Sequence, residues 1–110
     1  MPAYIAFLID IHDQAAFSDY ARAAAPTYPV YGGHVALRGP IVDVLEGTLD
    51  VHDDTRLVML QFPSLEQARA WWESERYRSL VKLRQPPVAD SRAVLVNGIG
   101  PVTSSPAGSS

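Results

Sequence analysis

The sequence predicts a single α+β domain with four strands and two helices in the order βαββαβ. Three observations carry this. Leu57 to Phe62 is a run of strand formers that meets Pro63 and then a helix start at Ser64. Ala3 to Ile11 is a second such run, followed at once by Asp13 and an apolar stripe of helical spacing. Two further runs, His34 to Arg38 and Arg92 to Val96, come after glycine or proline punctuation. This order is the ferredoxin-like split βαβ arrangement, one antiparallel sheet with both helices on one face.

Each element has a local cause. In the first strand Ile5, Phe7, Ile9 and Ile11 point one way, and Tyr4, Ala6, Leu8 and Asp10 the other. Asp13 is the expected N-cap of the first helix, whose buried stripe is Phe17, Tyr20, Ala21 and Ala24. Pro26 and Pro29 disturb its end, Pro26 to Tyr31 is read as one extra turn, and Gly32-Gly33 closes the segment. Gly39-Pro40 signals a turn after the second strand, so Ile41 to Glu46 is read as a short extension or hairpin arm ending at Gly47. Residues 50 to 55 form a polar loop. Ser64 caps the second helix, with Gln67 placed to complete a capping box. Leu65, Ala68, Trp71 and Trp72 supply its apolar stripe. A re-capping Ser74 predicts a break, after which Tyr77, Leu80, Val81 and Arg84 continue along one face until Pro86-Pro87. Residues 1–98 are expected to form the domain and 99–110 a flexible tail of small residues.

Two helices cover only one face of a sheet, yet strands one, three and four are apolar on both. An open apolar face is poorly tolerated on a monomer. The expected cover is a second copy, packed sheet face to sheet face as a homodimer.

The bulk numbers bound the function. The chain has 110 residues and a formal net charge of −3, which argues against a nucleic-acid surface. It has no cysteine, so disulfide and thiolate chemistry are excluded. The apolar N-terminal stretch meets Asp10 early and lacks a basic leader. It is read as neither signal peptide nor membrane span, and the expected address is the cytoplasm. No glycine loop of the phosphate-cradling type is present. His12 with Asp10 and Asp13, and His52 with Asp50, Asp53 and Asp54, lack established ligand spacing. Neither a metal nor a cofactor is expected.

An ordered set of residues resembles the family called domain of unknown function 1330. It comprises Tyr20 to Ala25, Tyr31-Gly32-Gly33, Arg38-Gly39, Val44-Leu45-Glu46-Gly47, Phe62-Pro63-Ser64-Leu65-Glu66, Ala68, Ala70-Trp71, Ser74, Tyr77 and Leu83-Arg84-Gln85. The similarity spans roughly residues 3 to 98. It departs from the usual pattern at Pro26, at Pro29 and in the loop from Asp50. The resemblance implies a dimeric α+β barrel with a pocket between sheet and helices. It implies no particular activity, because superfamily relatives include cofactor-free monooxygenases, polyketide cyclases, lactone isomerases and haem enzymes.

The candidate site residues are those that could reach such a pocket. His34 suits general acid–base work, and Arg38 suits an oxyanion or carboxylate. Four apart on one strand, they are expected on one face, about 13 Å apart at ~3.3 Å per residue. The competing readings are a solvated strand-end histidine and a cross-strand Arg38–Glu46 ion pair. Glu46, Tyr20, Trp71 and Tyr77 are candidate ligand contacts, the aromatics otherwise serving as core. The late basic residues Arg69, Arg76, Arg78, Lys82, Arg84 and Arg92 are read as a solvated face. Three functions stand open. One is a cofactor-free enzyme acting on a small organic acid or an aromatic or polyketide-like ketone, as cyclase, isomerase or monooxygenase. The others are a non-catalytic ligand-binding protein and a structural dimerisation module.

Overall fold

The computed structural model describes residues 1–99. The expected tail beyond Ile99 lies outside them. Strand β1 is Ala3–Ile11, β2 His34–Pro40, β3 Thr55–Phe62 and β4 Ala89–Asn97; helix α1 is Gln14–Ala24, α2 Leu65–Glu73 and α3 Glu75–Arg78. All neighbouring strands are antiparallel, in the order β2-β3-β1-β4. That is the ferredoxin-like order: β1 and β2 flank β3, and β1 also takes β4 on its other side.

Alternation along β1 divides the sheet as the sequence implies. Ile5, Phe7, Ile9 and Ile11 are each 3% exposed beneath the helices, while Tyr4, Ala6, Leu8 and Asp10 on the opposite face are half-buried. Residues paired across a ladder share a face. Pairing therefore places Leu57, Met59, Val94 and Val96 beside Ala6 and Leu8 on the uncovered face. Val94 and Val96 are 57% and 43% exposed.

The helix starts are capped where the sequence places them. Asp13 Oδ1 accepts from the Ala16 amide at 3.0 Å, and Ser64 Oγ from the Gln67 amide at 3.1 Å. Only that half of the Ser64 capping box is made among the described residues. Ser64→Ala should therefore lower stability by about 1 kcal/mol. Urea unfolding at fixed protein concentration checks this, and an unchanged midpoint would remove Ser64 from the capping role.

Ser74 ends α2 and starts α3. Its hydroxyl donates to the Trp71 carbonyl at 2.7 Å and accepts from the Tyr77 amide at 3.2 Å. The break turns the chain so that Tyr77 is fully buried. After α1, Pro26 and Pro29 shape two short 3-10 turns, Ala25–Thr27 and Pro29–Tyr31, instead of one extra turn. Gly32 closes them with φ of 75°. At Gly33 a Cβ would stand 2.4 Å from the Phe62 ring, so β2 can enter the sheet there only as glycine.

Several expectations are corrected. Strands β2, β3 and β4 are longer than their apolar runs, because ladder bonds recruit flanking polar residues such as Thr55 and Asp90. Ile41 to Glu46 forms no hairpin arm. The Ile41 amide closes the ladder on the Thr55 carbonyl at 3.1 Å, and the chain then leaves the sheet as an irregular loop. The Arg38–Glu46 pair is consequently absent among the described residues, and Glu46 is exposed in that loop.

The largest correction concerns β2. His34 pairs with Gln61 and Val35 with Leu60, but Leu37 pairs with Met59 and Arg38 with Val58. The register shifts by one residue at Ala36. A bulge of this kind turns every later side chain to the other face. His34 therefore shares the uncovered face with Gln61, while Arg38 lies with Val58 and Phe7 on the helix face. The two residues do not share a face.

Candidate functional site

The helix face carries a connected aromatic core. Trp71 stacks on Tyr77 with ring centroids 3.9 Å apart, and Phe62 and Tyr28 each lie 5.5 Å from Trp71. The Trp71 indole N–H donates to Thr27 Oγ1 at 2.8 Å, and that hydroxyl donates to the Ala24 carbonyl at 2.6 Å. Trp71 is fully buried. It joins α2 to the turn after α1 and stands within the packed core, outside the three hollows described below.

Next to this core lies Arg84, only 8% exposed. Its Nε donates to the Tyr77 hydroxyl at 3.1 Å, and the Tyr77 and Tyr20 hydroxyls are 2.7 Å apart. The guanidinium carbon is 5.5 Å from the Phe7 ring centroid, 5.9 Å from Tyr20 and 5.8 Å from Trp72. A cation desolvated against aromatic faces is stabilised by their quadrupoles. Yet no carboxylate pairs with it among the described residues. Guanidinium has five N–H donors, and four find no protein acceptor there. They are not sealed off, because Ser91 Oγ is the one fully enclosed, unpartnered side-chain atom among the described residues.

Beside Arg84, between the sheet and α1, is a cleft of about 80 Å3. Phe7, Ile9 and Val58 form its floor, Phe17, Tyr20 and Ala21 of α1 its roof, with Ala25 and Tyr28 at the end of the helix. Val35 and Arg38 close the β2 side. Arg38 is exposed, so it stands at the mouth, and it too has no carboxylate partner among the described residues. The Ala36 bulge delivers it there. Burial raises the Tyr20 phenol well above the ordinary range, and the neighbouring Tyr77 adds to this. Burial pushes Tyr28 up to about 12, reinforced by Tyr77 and opposed by the charges of Arg38 and Arg84. Both phenols therefore stay protonated at neutral pH.

The structure thus brings Tyr20, Tyr77 and Arg38 together at this cleft, with Tyr77 one hydrogen bond behind its wall. It leaves His34 on the other face and Glu46 in the loop. Sequence reasoning missed Arg84 as a site residue by grouping it with solvated cations. The signal was partial: Tyr77, Val81 and Arg84 have the i, i+4, i+7 spacing of one helical stripe, although the chain there is the short α3 followed by a 3-10 turn.

Two other hollows are less suited. One of about 210 Å3 lies between α2 and edge strand β4, bordered by Trp72, Leu95 and the Arg69–Glu73 turn. Another, of about 160 Å3, is polar and lies by Asp10, His52 and Asp90. There Asp10 accepts from the Thr55 hydroxyl and His12 contacts Asp90 at 2.8 Å. No group of three potential metal ligands converges among the described residues.

A four-stranded antiparallel sheet in this order, helices on one face and an apolar face left open, defines the ferredoxin-like fold of dimeric α+β barrel proteins. The chain belongs to the family described as Domain of unknown function (DUF1330), whose profile matches residues 2–99. Among curated proteins none matches. Among solved structures, the RPA0582 protein of unknown function from Rhodopseudomonas palustris is 25% identical with TM-score 0.72, covering 91% of this chain and 84% of that one. SnoaB, a cofactor-independent oxygenase from Streptomyces nogalater, is 9% identical with TM-score 0.65, covering 92% and 96%. A dimeric ferredoxin-like protein of unknown function from Thermobifida fusca is 17% identical with TM-score 0.59, covering 88% and 91%. The last two likenesses concern the fold alone. No helix among the described residues is long and apolar enough to cross a membrane.

Proposed function

We propose that this chain is a homodimeric small-molecule-binding protein whose ligand carries an organic oxyanion, a carboxylate or enolate, in the cleft between the sheet and α1. One observation carries the reading: Arg84 is buried with no counter-ion among the described residues, next to a cleft whose mouth holds a second unpaired guanidinium. A buried charge is costly unless it is compensated. The aromatic rings compensate in part, and negative charge on a ligand in the adjoining cleft, whose Phe7 and Tyr20 walls the guanidinium faces, adds to this at short range. The helix-face cavity also agrees with the location of pockets in small-ligand proteins, apolar with a few convergent polar groups.

The chemistry such a cleft performs without a cofactor is electrostatic. Hydrogen-bond donors and fixed cations stabilise negative charge as it develops on oxygen. A fold shared with a cofactor-independent oxygenase is compatible with that, on a small organic acid or aromatic ketone. A second reading, binding without turnover, is favoured by the absence of carboxylate and imidazole among the cleft-lining residues. No ordinary general base stands at the ligand among the described residues, and His34 lies outside the cleft.

Native mass spectrometry of protein from its own cell is the test. A small acidic molecule should accompany the wild-type chain, and Arg84→Met, which keeps the volume and removes the charge, should lose it. Arg84→Met retaining the same molecule would overturn the role of the cation.

A further inference from the structure

We propose that the cleft under α1 takes a short-chain 2-oxo carboxylate, its keto oxygen accepting from the Tyr20 hydroxyl inside and its carboxylate meeting Arg38 at the mouth. This rests on the oxyanion-binding reading and names the ligand class.

A proton count comes first. Tyr20 and Tyr77 carry one hydroxyl proton each and make one hydroxyl–hydroxyl contact, at 2.7 Å. That contact uses one proton. The other has no acceptor among the described residues. Tyr77 already accepts from Arg84 Nε at 3.1 Å, and accepting from a cation makes its own O–H the better donor. The bonds therefore run from Arg84 through Tyr77 to Tyr20, and the unused proton is on Tyr20. Tyr20 walls the cleft, whereas Tyr77 is not among its lining residues. The donor is left for whatever enters. Tyr20 stays protonated in use, because burial holds its phenol above the ordinary range.

The opposite pole is Arg38. It lines the cleft from the exposed side, and only the one-residue bulge at Ala36 puts it there. Between the poles the walls are apolar: Phe7, Ile9, Ala21 and Val58. A ligand that satisfies both ends has a neutral acceptor oxygen at one and an anion at the other, joined by little carbon. Size restricts it further. An apolar cavity of about 150 Å3 takes benzene. The cleft is about 80 Å3, which suits a methyl ketone better than a ring.

Calorimetric titration with three probes tests this: pyruvate, propionate without the keto oxygen, and benzoylformate with phenyl in place of methyl. Pyruvate should bind on the order of ten-fold tighter than propionate, and benzoylformate more weakly than pyruvate. Tyr20→Phe should reduce pyruvate affinity to that of propionate and leave propionate unchanged, a pattern that a general loosening of the cleft would not give. Tyr77→Phe, which cuts the link to Arg84, should reduce pyruvate binding in the same sense and serves if Tyr20→Phe does not fold. Arg38→Ala, which removes the cation at the mouth, should weaken all three probes. Benzoylformate binding as tightly as pyruvate, with the binding lost in Arg38→Ala, would overturn the ligand class while leaving an oxyanion site in place. Pyruvate and propionate binding equally would overturn the Tyr20 role. No binding of any probe by the wild type would overturn this proposal, and the native-cell measurement then decides the broader reading.

Discussion

Trp71→Ala should lower stability by about 3–5 kcal/mol, the range for emptying a buried large aromatic position. The expectation rests on three contacts that alanine removes together. The ring is fully buried and lies within 5.5 Å, centroid to centroid, of Tyr77, Phe62 and Tyr28. These partners come from α3, β3 and the turn after α1, so the cavity cannot close by moving one side chain. The indole N–H also ties α2 to Thr27. Trp71→Phe separates the terms. It keeps most of the apolar area and forfeits the bond to Thr27, whose hydroxyl still donates to the Ala24 carbonyl. No buried donor is orphaned, so the loss should be nearer ~1 kcal/mol than ~3. Urea denaturation at one fixed protein concentration measures both, since an associating protein changes its midpoint with concentration. A loss below about 1 kcal/mol in Trp71→Ala would mean that the indole is not packed as the structure has it.

That indole also shows how much could be read in advance. Its burial was legible, because Ala68, Trp71 and Trp72 keep the helical period from a recognisable cap at Ser64. The strand order was equally legible, since period-two apolar runs alternate with capped helices. Register was hidden. A bulge adds a single residue to one strand and has no compositional mark here: His34-Val-Ala-Leu-Arg38 reads as an unbroken strand. That one-residue slip moved Arg38 to the helix face and left His34 on the open one. Arg84 was hidden for a different reason. Charged residues near the end of a helical stripe are normally solvated, whereas this one, following the short helix α3 and a 3-10 turn at Val81–Leu83, lies over Phe7 and Trp72. Long-range packing decided it, which local spacing reports only in part. The loop after Pro40 was misread because a glycine-proline signal marks a turn and carries no information about the next element.

Sedimentation equilibrium at micromolar concentration should give a mass near twice 12.0 kDa, and Val94→Asp should reduce it to that of one chain. The open face explains both. Four strands at ~4.8 Å spacing and seven to nine residues at ~3.3 Å each give a face on the order of 500 Å2. Leu8, Leu57, Met59 and Leu37 lie across its centre, with Val94 and Val96 on the β4 side. Leu37 is 47% exposed, and in the adjoining loop Val42 and Leu45 are each 92% exposed. Monomers seldom expose so large an apolar patch. With that loop, the surface approaches the ~800 Å2 per partner of a stable interface. Under two-fold symmetry one substitution acts twice, placing two carboxylates in one apolar seam. Each must be desolvated without a partner, a cost of several kcal/mol per ion, enough to abolish association at micromolar concentration. Val94 is not part of the helix-face core, because it pairs with Ala6 on the open face while Leu95, paired with Ile5, packs against that core. The separated chains should therefore keep their fold and helical circular dichroism. A wild-type chain that sediments as a monomer would mean that the open face tolerates water. A Val94→Asp chain that still sediments as a pair would place the contact elsewhere on the molecule.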